Sequence, residues 1–285
     1  MKKIDIGCEY NIKNDISFMM EAEKINDEQF AEKTGISRVT LNNIKNNINV
    51  SPDTLDKIYS YFYANNYRLN SVKEELLKEE NRNILFHGSK YGLNSIYTDG
   101  SRDNCDFGNG FYLGETYSQA LSFVCDKKES SVYSFEYSLD GLKTIRFSCN
   151  LEWMLTICYF RKTLGSYDDN KLVLKALNKV KDADVIIAPI ADNKMFYIMA
   201  QFVDGEINSD VALHSLSASK LGLQYIFKTQ KAFNRLIPVE KYYVSSLEKH
   251  DCIKELNERS YEIDTKLKLA KREYKNGLYI EELPK

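Results

Sequence analysis

Along the first 66 residues the apolar positions recur at helical spacing. Ile16, Met19, Met20 and Ala22 mark one amphipathic set of turns. Asn26 or Asp27 can cap a second helix carrying Phe30 and Ala31. Gly35 stands at that helix's C-terminal end. Ser37 then caps a third helix over 38–46, with Val39, Leu41 and Ile44 as its apolar set. Pro52 and Asp53 open a fourth, with Leu55, Ile58, Tyr59 and Phe62 inward. Residues 67–81 are charged and read as a helical linker.

From Ile84 the period shortens to that of strands. Runs at 84–87, 110–113, 131–137, 144–147, 185–190 and 224–228 read as β, and 117–125, 151–163, 170–179, 210–216 and 230–236 read as helices between them. The segment 245–275 is charged, with Leu247, Leu256, Ile263, Leu267 and Ala270 as an apolar set, and reads as one or two surface-packed helices. The organisation expected is α+β: a helical module over 1–66, the linker over 67–81, a mixed domain over 82–240 and a helical tail over 241–285.

Composition narrows the classes. The 285 residues carry 39 Lys+Arg against 41 Asp+Glu. The first 80 residues hold 11 basic and 14 acidic side chains, so no basic domain is present to hold nucleic acid by charge alone. No apolar run approaches a membrane span, and the N-terminus has two lysines without an apolar stretch, so neither membrane partner nor signal peptide is expected. The six Cys are scattered without a CxxC pair, and His87, His214 and His250 are the whole supply of histidine. These counts favour reduced thiols, a cytoplasmic setting and no metal.

Residues 27–46, DEQFAEKTGISRVTLNNIKN, resemble the helix-turn-helix of phage-repressor-type DNA-binding domains. Ala31 lets two helices cross closely, Gly35 permits the turn, and Ile36 with Leu41 plugs the core. The resemblance puts Ser37, Arg38, Thr40, Asn42, Asn43 and Lys45 on the groove-facing helix. Asn can read adenine edges, but only Arg38 and Lys45 are basic. A helical module for dimerisation or partner binding is the competing reading.

Further along stand FHGS (86–89), DFGNGFYLG (106–114) and LQYIF (223–227). In order and spacing these are similar to the strands of ADP-ribosyltransferases of the His-Tyr-Glu type, both diphtheria-toxin-like and poly(ADP-ribose)-polymerase-like. They also resemble a bacterial family of uncharacterised proteins with HGS, DFGxGFY and QxxF motifs. The resemblance covers residues 82–240 and implies a split β-sandwich that binds NAD as substrate between two sheets. It implies that His87 bonds the adenosine-side ribose and that Gly88 meets the carboxamide through its backbone, where a side chain would crowd the ring. Tyr112 would stack on the nicotinamide, with Phe123 as a second aromatic. Ser89, Arg102, Asp106, Gly110 and Phe111 complete the implied cofactor contacts. Trp153 and Arg161 read as packing under the cleft.

Gln224 departs from that pattern, which usually has Glu. Glutamine accepts a hydrogen bond and carries no charge. Mono-ADP-ribosyl transfer, weak NAD cleavage and NAD binding without turnover therefore stay open. Glu115 is an alternative acid that reads as solvated surface, and Ala120 stands where some relatives have a hydroxyl. Expected catalytic residues are His87, Tyr112 and Gln224. Pairing a helix-turn-helix with a modifying domain fits a toxin or phage-defence effector. Its target is a protein, DNA, RNA or a small molecule, and an antitoxin or a second copy is a further partner. The alternative is a non-catalytic, NAD- or nucleotide-sensing DNA-binding regulator.

Overall fold

The computed structural model describes residues 3–80, 82–97, 100–101, 104–217 and 222–284. After a short strand β1 (Ile4–Asp5) come α1 (Ile12–Glu23), α2 (Asp27–Thr34), α3 (Arg38–Lys45) and α4 (Pro52–Ala64). Capping chemistry sets their limits. The Asn26 side chain accepts from Gln29 N at 3.0 Å while Gln29 reaches back to Asn26 N, a reciprocal box that starts α2. Gly35 ends it at φ +68°, a left-handed conformation that glycine adopts without steric cost. Ser37 and Ser51 cap α3 and α4. Phe30, Leu41, Ile44, Ile58 and Phe62 share one core. Val39, expected among the apolar set, instead stands 71% exposed on α3.

The segment read as a linker is mostly α5 (Leu69–Glu79), and it is packed. Buried Asn70 donates to the Tyr117 hydroxyl at 2.8 Å and to the Tyr243 carbonyl at 2.9 Å. Next come β2 (Ile84–Ser89), β3 (Ser95–Ile96), β4 (Phe111–Gly114), α6 (Tyr117–Ser122), β5 (Ser131–Tyr137), β6 (Thr144–Arg146), α7 (Leu151–Phe160), α8 (Lys171–Val180), β7 (Val185–Pro189) and α9 (Asn193–Val203). The chain continues through α10 (Ser209–Ser217), β8 (Leu223–Phe227), α11 (Gln230–Phe233), β9 (Leu236–Tyr243) and α12 (Ser246–Glu273). Hydrogen bonding among the described residues joins seven strands in the order β6-β7-β8-β4-β2-β5-β9, with β2 and β4 linked by a single registered pair. Among them β6 and β7 run parallel and the other described pairs antiparallel, while β1 pairs apart with β3.

Two stretches differ from expectation. The helix expected over 230–236 stops at Phe233, and Leu236 begins the edge strand β9. Pro238 disguised that strand, and the register jumps beside it: Ser134 pairs with Glu240 while Phe135 pairs with Pro238. Helix α9 falls where the sequence pattern places no element. Asp192 caps it, and Met195, Ile198, Met199 and Phe202 are its buried stripe. The tail contains one 28-residue helix, α12.

The helical module is bolted to the sheet. Lys73 reaches Asp15 of α1 at 2.5 Å and Glu240 of β9 at 2.6 Å, while the Tyr59 hydroxyl donates to Asp15 at 2.5 Å. Asp56 of α4 accepts from Ser246 N at 2.7 Å, placing a carboxylate at the α12 N-terminus.

Candidate functional site

Between β2 and β4 a single pair registers, Phe86 with Gly114. Beyond it the strands part, and a cavity of about 760 Å3 opens between residues 86–90 and 110–114. His87 spans the split: its Nδ1 lies 2.8 Å from the Tyr112 carbonyl oxygen of β4. A carbonyl only accepts, so Nδ1 carries the proton and Nε2 is left as an acceptor. Burial holds the imidazole down at about 4, with the Tyr112 contact opposing, so the ring is neutral at physiological pH. Phe111 backs the imidazole at 4.4 Å and is itself packed against Phe135 and Phe233.

Tyr112 and Gln224 stand on one face of the sheet, because Tyr112 pairs with Ile226 and Gly114 with Gln224. The Tyr112 hydroxyl accepts from Phe107 N at 3.0 Å and donates to the Gly108 carbonyl at 2.7 Å, which pins the DFG loop. Burial pushes that phenol well up, so it stays neutral.

Gln224 is 8% exposed and its Nε2 donates twice: to Asp106 Oδ2 at 2.9 Å and to the Pro189 carbonyl at 3.1 Å. Both partners accept only, so the amide orientation is settled by its network. Asp106 Oδ1 is held by Arg161 at 2.7 Å from Nε and 2.5 Å from the terminal nitrogen. The Trp153 indole donates to the same Pro189 carbonyl at 3.2 Å.

All the implied cleft residues that fall among the described ones line this cavity: His87, Gly88, Ser89, Asp106, Gly110, Phe111, Tyr112, Phe123 and Gln224. Arg102 lies outside the described residues. A Cβ on Gly88 would meet the Ala120 carbonyl oxygen at 2.3 Å, so α6 packing on β2 by itself requires glycine there. One expectation changes. Glu115 is not free surface, since its carboxylate accepts from Leu223 N at 2.9 Å and anchors the start of β8.

Arg161 and Asn193 also line the cavity and were missed as site residues. The signal for Arg161 was a charge closing a helix whose residues 153–158 are all buried, because a charge brought against such a core needs a partner. Asn193 belongs to the unforeseen α9.

In the helical module the expected reading face is partly used up. Ser37 Oγ accepts from Thr40 N at 3.0 Å and lies 2.8 Å from Thr40 Oγ1, so both hydroxyls serve the cap. Arg38 lies 3.8 Å from Glu28, and Lys45 lies 2.5 Å from Asp27. Both cations of α3 thus face carboxylates of α2. Asn42 remains exposed and Asn43 half-buried.

The two regions belong to different classes. Residues 15–63 match the Cro/C1-type helix-turn-helix DNA-binding domain, so the chain carries a DNA-binding module of that type ahead of a mixed α+β sheet domain. Residues 83–237, more than half of the chain, match the family described as protein of unknown function (DUF3990), and the chain belongs to that family. No curated protein and no solved structure matches the chain. Among the described residues no helix is long and apolar enough to cross a membrane.

Proposed function

We propose that the chain is a DNA-binding regulator whose second domain takes NAD in the β2–β4 cleft. One observation carries the cleft half: His87, Tyr112 and Gln224 come from three strands onto a single cavity of about 760 Å3, a size that suits a cofactor-sized ligand. The unprotonated Nε2 of His87 suits a ribose hydroxyl, which donates. The Tyr112 ring offers a flat face to nicotinamide, and Phe123, 51% exposed, offers a second. Gly88 contributes backbone alone, and Ser89 and Gly110 bound the same space. The DNA half rests on the helix-turn-helix match, with Arg38, Asn42, Asn43 and Lys45 as the groups that would meet the major groove.

Calorimetric titration of NAD into the full chain tests the first half. Affinity should be flat from pH 8 to 6 and fall as pH nears 4, where protonation removes the His87 acceptor. An absence of binding heat sinks it. Mobility shift on the protein's own promoter, with Arg38→Ala as control, tests the second half, and no shift at low salt removes it. DNA affinity that changes with NAD would join the two.

A second reading is transfer of ADP-ribose, favoured by the Gln224 carboxamide being held beside a carboxylate at the cavity wall. NAD would supply a ribosyl carbon whose bond to nicotinamide breaks with the electron pair leaving on the ring nitrogen; an acceptor bonds to that carbon and gives up its proton. Gln224 would hold the ribose 2′-hydroxyl and His87 the far ribose. A toxin or phage-defence role belongs to this reading. Labelled NAD incubated with lysate tests it, and it fails if neither label transfer nor nicotinamide release is seen.

A further inference from the structure

Gln224 is surrounded by acceptors. Its two amide hydrogens go to Asp106 Oδ2 and to the Pro189 carbonyl, which leaves Oε1 as the atom available to a ligand. Asp106 is 6% exposed, lines the same cavity and has both oxygens engaged, one by Gln224 and one by Arg161. A glutamate at 224 would set a second carboxylate against Asp106 and the Pro189 carbonyl together. Two carboxylates at such a distance cannot both ionise without large cost. Glutamine is therefore what the Asp106 position requires, and is not simply a lost acid.

We propose that Asp106 supplies the negative charge of this cleft, acting through the Gln224 carboxamide as a positioning residue. The charge has moved one hydrogen bond outward from where a glutamate would hold it. Asp106 orients Oε1 toward the ligand, polarises the amide so that Oε1 accepts more strongly, and faces the positive charge that develops on ribose as nicotinamide leaves. This inference rests on the reading of the cleft as an NAD-cleaving site. The other titratable groups around Asp106 are Cys158 from α7, Arg161 just past its end, Tyr112 from β4 and Cys105 beside it in the loop.

The test is a charge swap in the full chain: wild type, Asp106→Asn, Gln224→Glu, and the double variant carrying both changes. The double variant restores one carboxylate and one amide in reversed order. The new amide at position 106 can donate to the new carboxylate at position 224, and its oxygen can accept from Arg161. Nicotinamide release from NAD should fall roughly 100-fold in each single variant at pH 8 and return to within about 10-fold of wild type in the double. Gln224→Glu alone should recover as pH drops toward 5, where a shared proton relieves the pair. Thermal unfolding gives a readout independent of turnover: relative to wild type at the same pH, Gln224→Glu should melt lower at pH 8 and recover at pH 5, and the double variant should follow wild type at both. A Gln224→Glu protein that releases nicotinamide faster than wild type, or melts like it at both pH values, overturns the inference. A wild type that releases none, with the thermal pattern intact, overturns the cleavage reading and leaves the charge placement standing.

Discussion

The helix-turn-helix and the cleft make opposite uses of sequence distance. The groups of the first lie within about ten consecutive residues of one helix, and the fold uses several of them locally: Ser37 and Thr40 on the cap, Arg38 and Lys45 on α2 carboxylates. The groups of the second come from positions 87, 106, 112, 161 and 224, and the fold brings them to one cavity, where the engaged Asp106, Arg161 and Tyr112 hydroxyl leave His87 Nε2 and Gln224 Oε1 as the spare acceptors. A contiguous motif thus announces a structure without guaranteeing free functional groups. A dispersed one is harder to see but, once assembled, carries more chemistry per residue.

The largest effect is expected at the joint between the two regions. Lys73→Met should destabilise the chain by about 3–5 kcal/mol, because it strands Asp15 and Glu240 without their cation. Urea unfolding would measure it. A loss below about 1 kcal/mol would mean the two regions are only loosely joined.

The next contrast sets one glycine against another. Gly88→Ala should cost about 3 kcal/mol, since the new Cβ meets a backbone oxygen at 2.3 Å. Gly35→Ala meets nothing within 4 Å and loses only through its positive φ, about 1 kcal/mol. Equal losses would erase the distinction between a glycine that packing needs and one that a turn needs.

Glu248 gives a smaller, pH-dependent effect. It sits where α12 meets α5 and α6, accepting from Asn70 at 3.2 Å, and burial pushes its carboxyl up to about 7 from 4.5. A raised carboxyl favours the folded state when protonated, so stability falls as pH climbs from about 4.5 through 7. Glu248→Gln should therefore gain about 2 kcal/mol, or about 5 °C, at pH 8 and little at pH 4. Calorimetric melting at both pH values would show it.

The smallest effect belongs to the helix-turn-helix. Removing the paired carboxylates with Asp27→Asn and Glu28→Gln together should free Lys45 and Arg38 for phosphate. The salt dependence of DNA binding should then steepen by about 2 in log–log slope. An unchanged slope would show that neither cation faces the groove.

Local chemistry made much of this protein legible in advance. The Asn26, Ser37 and Pro52 starts of α2, α3 and α4 follow from capping and proline rules that act within one turn. Strands β2, β4, β5, β7 and β8 followed from apolar runs of β-prone residues, with ends shifted by a residue or two. The resemblance carried by FHGS, DFGNGFYLG and LQYIF implies one cleft for these three segments. What escaped had a non-local cause. Strand β9 carries a proline and charges that suit an edge, and it is a strand because β5 pairs with it. The direction of Gln224, the pairing of Asp106 with Arg161 and the capping of α12 by Asp56 depend on side chains more than fifty residues away. Hydrogen-bond partners are chosen only once the chain has brought them within about 3 Å. Local sequence was enough to set which elements form and which residues hold reactive or polar groups. Which of those polar atoms are already satisfied, and which still face a ligand, was settled only when the distant segments packed together.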